Sequence, residues 1–423
     1  MVKPISFCIN TAVNELNYIK LLFKSLQDNL STKEHEIIVF IDSDNQNTLG
    51  WLVEQKSIFP NLKILFNQLP ICYGYARNIN EMFKFASNDI VSYLQSDMVI
   101  SKDYDVYISK NIDNNMILSS TRIEPPLHGT GLEKHTFNFG LSPEEFKYDM
   151  FIDWCEHNRE DKKTNYFFAP FTLYKDVWNN IGGHDTQFRR SREDSDVLNR
   201  LVLSGVKIVQ TWEALVYHFT CVSSRGQDWH NKSNKKAQDR AILQNHADRV
   251  EMSRINKKWG GFSHGNPNKY YYNINSEINI DNNNFSIFKE ISSFFNVNYI
   301  NEISFYNEFI NQDEHSYANK LLNVSNEHWK EYSYMYNTNN IEDYVNLGDA
   351  KGDIVIKFNL SNVNQNNFNS FIYNLQHIIH EYEPGEYEYD GFTIIINKKN
   401  NIVSDKIKIS NPIINSLHNF ITY

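Results

Sequence analysis

Residues 75–97 read YARNINEMFKFASNDIVSYLQSD, and the reading of this stretch decides the fold. Its first part spaces Ile79, Met82, Phe83 and Ala86 so that they share one stripe of a helix. Its second part, DIVSYLQ, is a short apolar run between polar residues, the pattern of a buried strand. The strand then ends on a carboxylate, Asp97, set between Ser96 and Met98. A buried carboxylate without a partner is costly, so Asp97 requires a hydrogen bond, a cation or a metal. Capping of the next turn would also satisfy it.

The same unit recurs toward the N-terminus. ISFCIN (5–10), EIIVFID (36–42) and NLKILFN (61–67) read as strands, and NELNYIKLLFKSLQDN (14–29) places Leu16, Ile19, Leu22, Phe23 and Leu26 on one helical stripe. Such alternation predicts an α/β fold, a mostly parallel sheet with helices on both faces. Ligands of these sheets bind beyond the carboxyl ends of the strands, where Asp42 and Asp97 both lie.

Further on, NMILSSTRIEPP (115–126) reads as a strand running into a Pro-Pro turn. SPEEFKYDMFIDWCEHN (142–158) reads as a helix opening at Ser142, with Pro143 in its first position and Glu145 completing a capping box. FFAPFTLYK (167–175) is a strand candidate, followed by a turn at Gly182-Gly183 and a helix, EDSDVLNRLVLSG, stopped by Gly205. KIVQTWEALVYHF (207–219) is a strand with His218 near its end, SSRGQDWHNKS (223–233) a candidate lid, and residues 237–261 a long amphipathic helix. Composition shifts near residue 262 to an Asn- and Tyr-rich connector, residues 263–285. Residues 286–423 read as a smaller α+β domain, with a strand at GDIVIKFNL, a helix at 369–382 and a strand pair around Asp390-Gly391. That domain is a candidate for homo-oligomer formation, for acceptor binding or for bracing the first 262 residues.

Composition narrows the function classes. With 423 residues, 41% hydrophobic and 14% aromatic, the chain has enough apolar material for two or three domains with large cores. A formal net charge of −10 argues against a broad electrostatic grip on nucleic acid. Four scattered cysteines without a CxxC pair indicate neither a structural zinc nor a disulfide framework. No run approaches the ~20 apolar residues of a membrane span, so a soluble, cytoplasmic protein is expected.

Four clusters could carry chemistry. Thr11, Glu15, Asp42 and Asp44 gather at the ends of the first two strands, where acidic groups can hold a base or ribose. Helix and turn capping is the plainer alternative there. Gly74, Arg77 and Asn78 stand at a helix start suited to a diphosphate, although a surface arginine is equally ordinary. Asp97 and His218 both fall at strand ends and together suit a divalent ion such as Mn²⁺, with Mg²⁺ preferring oxygen ligands. Glu193, Asp194 and Asp196 follow the Gly-Gly turn beside Arg189, Arg190 and Arg192; this is denser than helix capping requires and could supply a general base. No P-loop, GxGxxG, HExxH or GxSxG occurs.

The order IVFIDSDNQNT, GYARNIN, YLQSDM, GGHDTQFRRSREDSDVLNRLVLSGVKI and VYHFT resembles the GT-A glycosyltransferases, particularly family 2. The likeness covers roughly residues 3–262 and is most specific at 182–205. It implies a GT-A type, Rossmann-like catalytic domain over 1–262. It also implies a metal-dependent, inverting transfer of sugar from a nucleotide-sugar, first a UDP-sugar, to a hydroxyl acceptor. Carried over, Thr11, Glu15, Asp42, Arg77, Asn78, Ser96 and Asp97 would bind the nucleotide-sugar. Asp97 and His218 would ligate Mn²⁺ or Mg²⁺, Asp194 would be the base, and Glu193 would orient acceptor or sugar. One departure is Gln95, which stands where the family's metal motif usually has an acid. The acceptor could be a glycan, a lipid-linked sugar, a protein or a modified nucleobase, with Arg122, Glu124, His128 and Trp154 as candidate contacts. A retaining transferase, a sugar-nucleotide-forming nucleotidyltransferase and a non-catalytic nucleotide-sugar binder remain as alternatives.

Overall fold

A computed structural model describes residues 2–11, 15–42, 45–67, 73–127, 129–188 and 191–220. It also describes a few positions between 222 and 265, residues 274–279, 354–359 and 420–422, and most of 362–397. Asp44, His128, Arg189, Arg190, the candidate lid at 223–233 and most of the connector lie outside the described residues.

In chain order the elements begin β1 (Ile5–Thr11), α1 (Leu16–Asn29), β2 (Glu36–Ile41), α2 (Gln46–Gln55), β3 (Leu62–Asn67), α3 (Tyr75–Phe85) and β4 (Ile90–Gln95). Next come β5 (Met98–Ile100), α4 (Tyr104–Asn111), β6 (Met116–Glu124), β7 (Lys134–Thr136), α5 (Tyr148–Asn158), β8 (Lys163–Thr164), β9 (Phe171–Tyr174) and α6 (Lys175–Asn180). The remainder are α7 (Glu193–Leu203), β10 (Lys207–His218), β11 (Ile274–Asn279), β12 (Ile354–Asn359), β13 (Gly385–Tyr389), β14 (Phe392–Ile396) and β15 (Phe420–Thr422).

By its contacts the chain divides into two compact units. The first comprises Met1–His184, Ser204–Lys232 and Ser410–Tyr423; the second comprises Asp185–Leu203 and Ser233–Ile409. The first is built on one large sheet in the order β15-β3-β2-β1-β4-β9-β6-β10-β5, with β7 on β6 and β8 on β10. Its core, β3-β2-β1-β4, is parallel, as the strand–helix repeats predict. The antiparallel members are β9, inserted between β4 and β6, together with β5, β8 and β15. Strand direction is not encoded in a local apolar run, so these could not be read ahead. Every residue of β2 is buried, as expected of a strand covered on both faces. On one face Ile5, Phe7 and Ile9 of β1 pack with Ile19, Leu22 and Phe23 of α1 and Leu49 and Leu52 of α2. On the other, Phe83 of α3 packs against Phe171 and Trp178.

The helix expected from Ser142 begins instead at Tyr148, and Lys147 at its N-cap makes no side-chain cap. Glu145 N–H donates to the Ser142 carbonyl at 3.2 Å, so the capping-box residues close a turn. The turn lets Phe146 pack on Tyr217 at 5.1 Å and Phe219 at 5.4 Å before the helix starts. Burying an aromatic ring outweighs one cap.

A buried polar link braces the opposite end of the sheet. His35 Nδ1 accepts from the Ile5 amide at 3.1 Å, and its Nε2 meets Asp105 Oδ2 at 2.9 Å. Asp105 also accepts from the Ser31 amide and hydroxyl. Burial pushes the Asp105 carboxyl upward, but the hydrogen bonds from His35 and Ser31 outweigh it and hold it below its ordinary value. A depressed carboxylate stabilises the fold above its unfolded pKa and ceases to do so as pH falls through the folded one. Asp105→Asn is therefore expected to cost about 2–3 kcal/mol at pH 7 and to flatten the loss of stability below about pH 4. Denaturant titrations across pH test this; parallel acid limbs for variant and wild type would refute it.

In the second unit β11 and β12 pair in parallel, and β14 lies antiparallel between β12 and β13. The hairpin turn at Asp390 (φ 46°) and Gly391 (φ 89°) has the two positive φ values that its Asp-Gly sequence predicts. Phe371 stacks on Phe392 with ring centroids 4.0 Å apart. Among the described residues no helix is long and apolar enough to cross a membrane.

Candidate active site

The carboxyl ends of β1, β2 and β4 form one rim in the first unit. Register pairs Asn10 of β1 with Gln95 of β4, which brings Thr11 next to Ser96. Thr11 Oγ1 donates to Glu15 Oε2 at 3.3 Å, and Ser96 Oγ donates to the same oxygen in a short bond. Thr11, Glu15 and Ser96 are all buried, so three residues predicted separately form one cluster. Asp42 is buried beside them and accepts four hydrogen bonds. Asn67 Nδ2 (3.1 Å) and the Tyr73 amide (2.7 Å) reach Oδ1, while the Gly74 amide (2.9 Å) and Asn78 Nδ2 (2.8 Å) reach Oδ2. Burial raises the Asp42 carboxyl, and these donors only partly offset it. A carboxylate accepts about four such bonds, so Asp42 is engaged as the anchor of the loop before α3. Asn78 also donates to Asn10 Oδ1 at 2.8 Å, and the half-buried Arg77 lies over the Tyr73 ring at 4.2 Å.

The second cluster follows from sheet order. In the ladder β6–β10–β5, Tyr217 pairs with Ile123 and His218 with Met98, so His218 stands beside both Glu124 and Asp97. Its Nδ1 meets Glu124 Oε1 at 2.9 Å, and its Nε2 lies 3.7 Å from Asp97 Oδ2. A carboxylate can only accept, so Nδ1 carries a hydrogen and Nε2 faces Asp97. Asp97 is 3% exposed, and burial pushes its carboxyl up against the opposing pull of His218. Glu124 behaves oppositely. Burial would raise it, but bonds from His218 and Lys134 (2.6 Å) and the charge of Arg122 (3.1 Å) hold it well below the carboxylate range.

Asp97 and His218 fit a divalent ion: ligand bonds of about 2.0–2.2 Å to each can span their separation. Among the described residues no group of three or more His, Cys, Asp or Glu could hold a metal, so a pair is what those residues offer. The carboxylate–histidine arrangement orients a metal-binding imidazole. Glu124, predicted as an acceptor contact, is thus found on His218, with Arg122 paired to it. Trp154, the other acceptor candidate, packs among His135, Phe137 and Phe139.

In the second unit, α7 opens directly on Glu193 and Asp194. Asp194 Oδ1 accepts from the Ser195 amide at 2.7 Å, and Ser195 Oγ meets His264 Nδ1 at 3.0 Å. Burial, and then the charge of Asp194, push the Glu193 carboxyl well above its ordinary value. Asp196 is placed otherwise: it is fully buried between Arg200 Nε (2.8 Å), Lys258 Nζ (2.7 Å) and Trp259 Nε1 (3.0 Å). It anchors the helix from within, as an alternative to the helix-start role that its position suggests.

Residues 8–171 match the family described as Glycosyl transferase family 2. That similarity spans less than half of the chain. Similar solved structures include S. aureus TarS, at 15% identity and a TM-score of 0.38, with 60% of this chain and 43% of that one covered. Another is GalNAc-T7 with UDP, GalNAc and Mn²⁺, at 11% identity and a TM-score of 0.41, covering 60% and 50%. A third is the mannosyltransferase PcManGT from Pyrobaculum calidifontis in complex with GDP-Man and Mn²⁺, at 12% identity and a TM-score of 0.40, covering 62% and 66%. The chain thus spans less than half the length of TarS. No curated protein sequence matches it significantly.

The first unit also contains a clamp that the sequence did not reveal. Asn80, one turn beyond Arg77 on α3, accepts from the His184 amide (2.8 Å) and Trp178 Nε1 (3.2 Å) and donates to the His184 carbonyl (2.9 Å). It thereby fixes the Gly182-Gly183 turn to the helix bearing Arg77 and Asn78. Gly183 has φ +74°, and a Cβ there would lie 2.4 Å from Asn80 Oδ1 and 2.8 Å from Trp178 Nε1. Gly183→Ala is expected to destabilise the domain by about 2–3 kcal/mol, because strain and a blocked clamp add. An unchanged melting temperature would count against this close packing.

Proposed function

We propose that the chain transfers a glycosyl group from a nucleotide-sugar, a UDP-sugar, to a hydroxyl acceptor with inversion at the anomeric carbon. The observation that carries the metal-dependent part is the imidazole of His218, held by Glu124 at 2.9 Å and turned toward Asp97 at 3.7 Å. The family match over residues 8–171 supports the transferase class.

In this reading Thr11, Glu15 and Ser96 bind the nucleoside end of the donor, while Asp42 holds Asn78 and the loop before α3 in place. Arg77 pairs with the diphosphate. When bound, Mn²⁺ or Mg²⁺ on Asp97 and His218, completed by the diphosphate and water, supplies positive charge against the leaving group. The acceptor oxygen attacks the anomeric carbon as the bond to the diphosphate breaks, and Asp194 takes the hydroxyl proton. One displacement inverts the centre. Glu193, whose carboxyl burial pushes well above its ordinary value, orients acceptor or sugar by hydrogen bonding.

A thermal-shift screen of nucleotide-sugars with and without Mn²⁺ tests donor and ion together. Stabilisation by UDP-sugars that depends on Mn²⁺ is the expected result, and indifference to every nucleotide-sugar in both conditions would overturn the reading. The anomeric proton coupling of the product, read by NMR, decides the stereochemistry.

A further inference from the structure

The segment between β8 and β9 is pinned at both ends. Thr164 Oγ1 donates to Gln210 Oε1 at 2.9 Å and accepts from Trp212 Nε1 at 3.0 Å, while the Phe168 amide donates to Ser119 Oγ at 3.2 Å. Between these anchors three aromatic residues alternate. Phe167 is buried and packs on Phe171 at 5.4 Å. Tyr166 and Phe168, on either side of it in sequence, are half-buried, and their rings lie parallel, with centroids 6.0 Å apart and 8° between planes. The alternation is that of an extended segment with one residue facing inward and its neighbours facing out.

Arg122 connects this pair to the candidate metal site. Its guanidinium lies 4.0 Å from the Phe168 ring centroid, and Nη1 meets Glu124 Oε1 at 3.1 Å, the oxygen that also holds His218. Arg122 is only 9% exposed. A buried cation thus lies against two part-exposed aromatic rings, one charge and two apolar faces in one place.

We propose that Tyr166, Phe168 and Arg122 form an acceptor subsite for a pyranose ring, so that the hydroxyl acceptor is a glycoside. This rests on the transferase reading above. A pyranose presents C–H bonds on one face, which suit the negative face of an aromatic ring, and hydroxyls at its edge, which accept from a guanidinium. Glu124 fixes Arg122 and His218 through one carboxylate, so the subsite and the metal pair share an anchor.

Saturation-transfer NMR on the full chain, with methyl glucopyranoside, galactopyranoside, mannopyranoside and N-acetylglucosaminide as probes, tests the assignment. At least one probe binds the wild type through its ring C–H protons. Phe168→Ala and Tyr166→Ala each weaken that binding by about tenfold, and Phe168→Tyr retains it. Tyr166→Ala, at a part-exposed position, serves where Phe168→Ala fails to fold. Absence of pyranoside binding to the wild type, equal binding to both alanine variants, or binding of nucleosides alone would each overturn the subsite. Nucleotide-sugar binding is measured in the same samples. Its absence from the wild type would overturn the transferase reading, whereas donor binding with indifferent variants would overturn the subsite alone.

Discussion

Asp194→Asn is expected to slow sugar transfer by about a thousandfold, while nucleotide-sugar affinity stays within about twofold. In the proposed mechanism the substitution removes a base and little else. Asp194 Oδ1 accepts from the Ser195 amide at 2.7 Å, and an asparagine oxygen can keep that bond. The start of α7 and the Ser195–His264 contact at 3.0 Å should therefore persist, with melting unchanged. Only the capacity to take a proton is lost. Burial and the neighbouring charge push the Glu193 carboxyl well above its ordinary value, which disfavours its ionised form. Glu193→Gln, which preserves a hydrogen-bond donor, is accordingly the milder change. Single-turnover transfer and equilibrium donor binding decide the matter. Wild-type transfer by Asp194→Asn, or a matching loss of donor affinity, would remove Asp194 from this role.

Much of the first unit was legible because its strands are buried runs that stop abruptly on polar residues. Asp42, Asp97 and His218 stood out for that reason, and all three lie at the carboxyl ends of strands. What could not be read was pairing over long separations. Glu124 and His218 are 94 positions apart, and only the order β6–β10–β5 brings them together. The same holds for Asn80 and His184, and for the return of β15 to pair with β3. Local signals failed in two ways. α2, which Asn45 caps by accepting from the Thr48 amide at 3.1 Å, was not among the helices read from the sequence. Ser142 carried the right capping pattern, but the aromatic layer claimed Phe146 first. Propensity loses to burial when a ring is at stake.

Glu124→Gln should be the most damaging change at the proposed metal pair, although Glu124 is not itself one of the two proposed ligands. The carboxylate receives His218 Nδ1 and Arg122 Nη1 on Oε1 and Lys134 Nζ on Oε2. Glutamine offers one acceptor where three donors converge, and its amide N–H groups would face a donor. Two effects follow. His218 loses the group that fixes its tautomer and aim, so Mn²⁺ affinity measured by calorimetry with nucleoside diphosphate present falls about 10–100-fold. Arg122 and Lys134, with side chains 10% and 7% exposed, are left without their counter-charge, which costs about 3–5 kcal/mol of stability. That loss depends on pH. Because Glu124 is held below its ordinary value, its stabilisation is present above its unfolded pKa and disappears as pH falls through the folded one. Variant and wild type should therefore converge in acid. Lys134→Met separates the two effects: it removes one cation and leaves Glu124 on His218, so stability changes while Mn²⁺ affinity holds. If Glu124→Gln unfolds less readily than expected yet binds Mn²⁺ as the wild type does, the imidazole is not aimed by Glu124. Asp97 would then have to hold the ion without an oriented histidine.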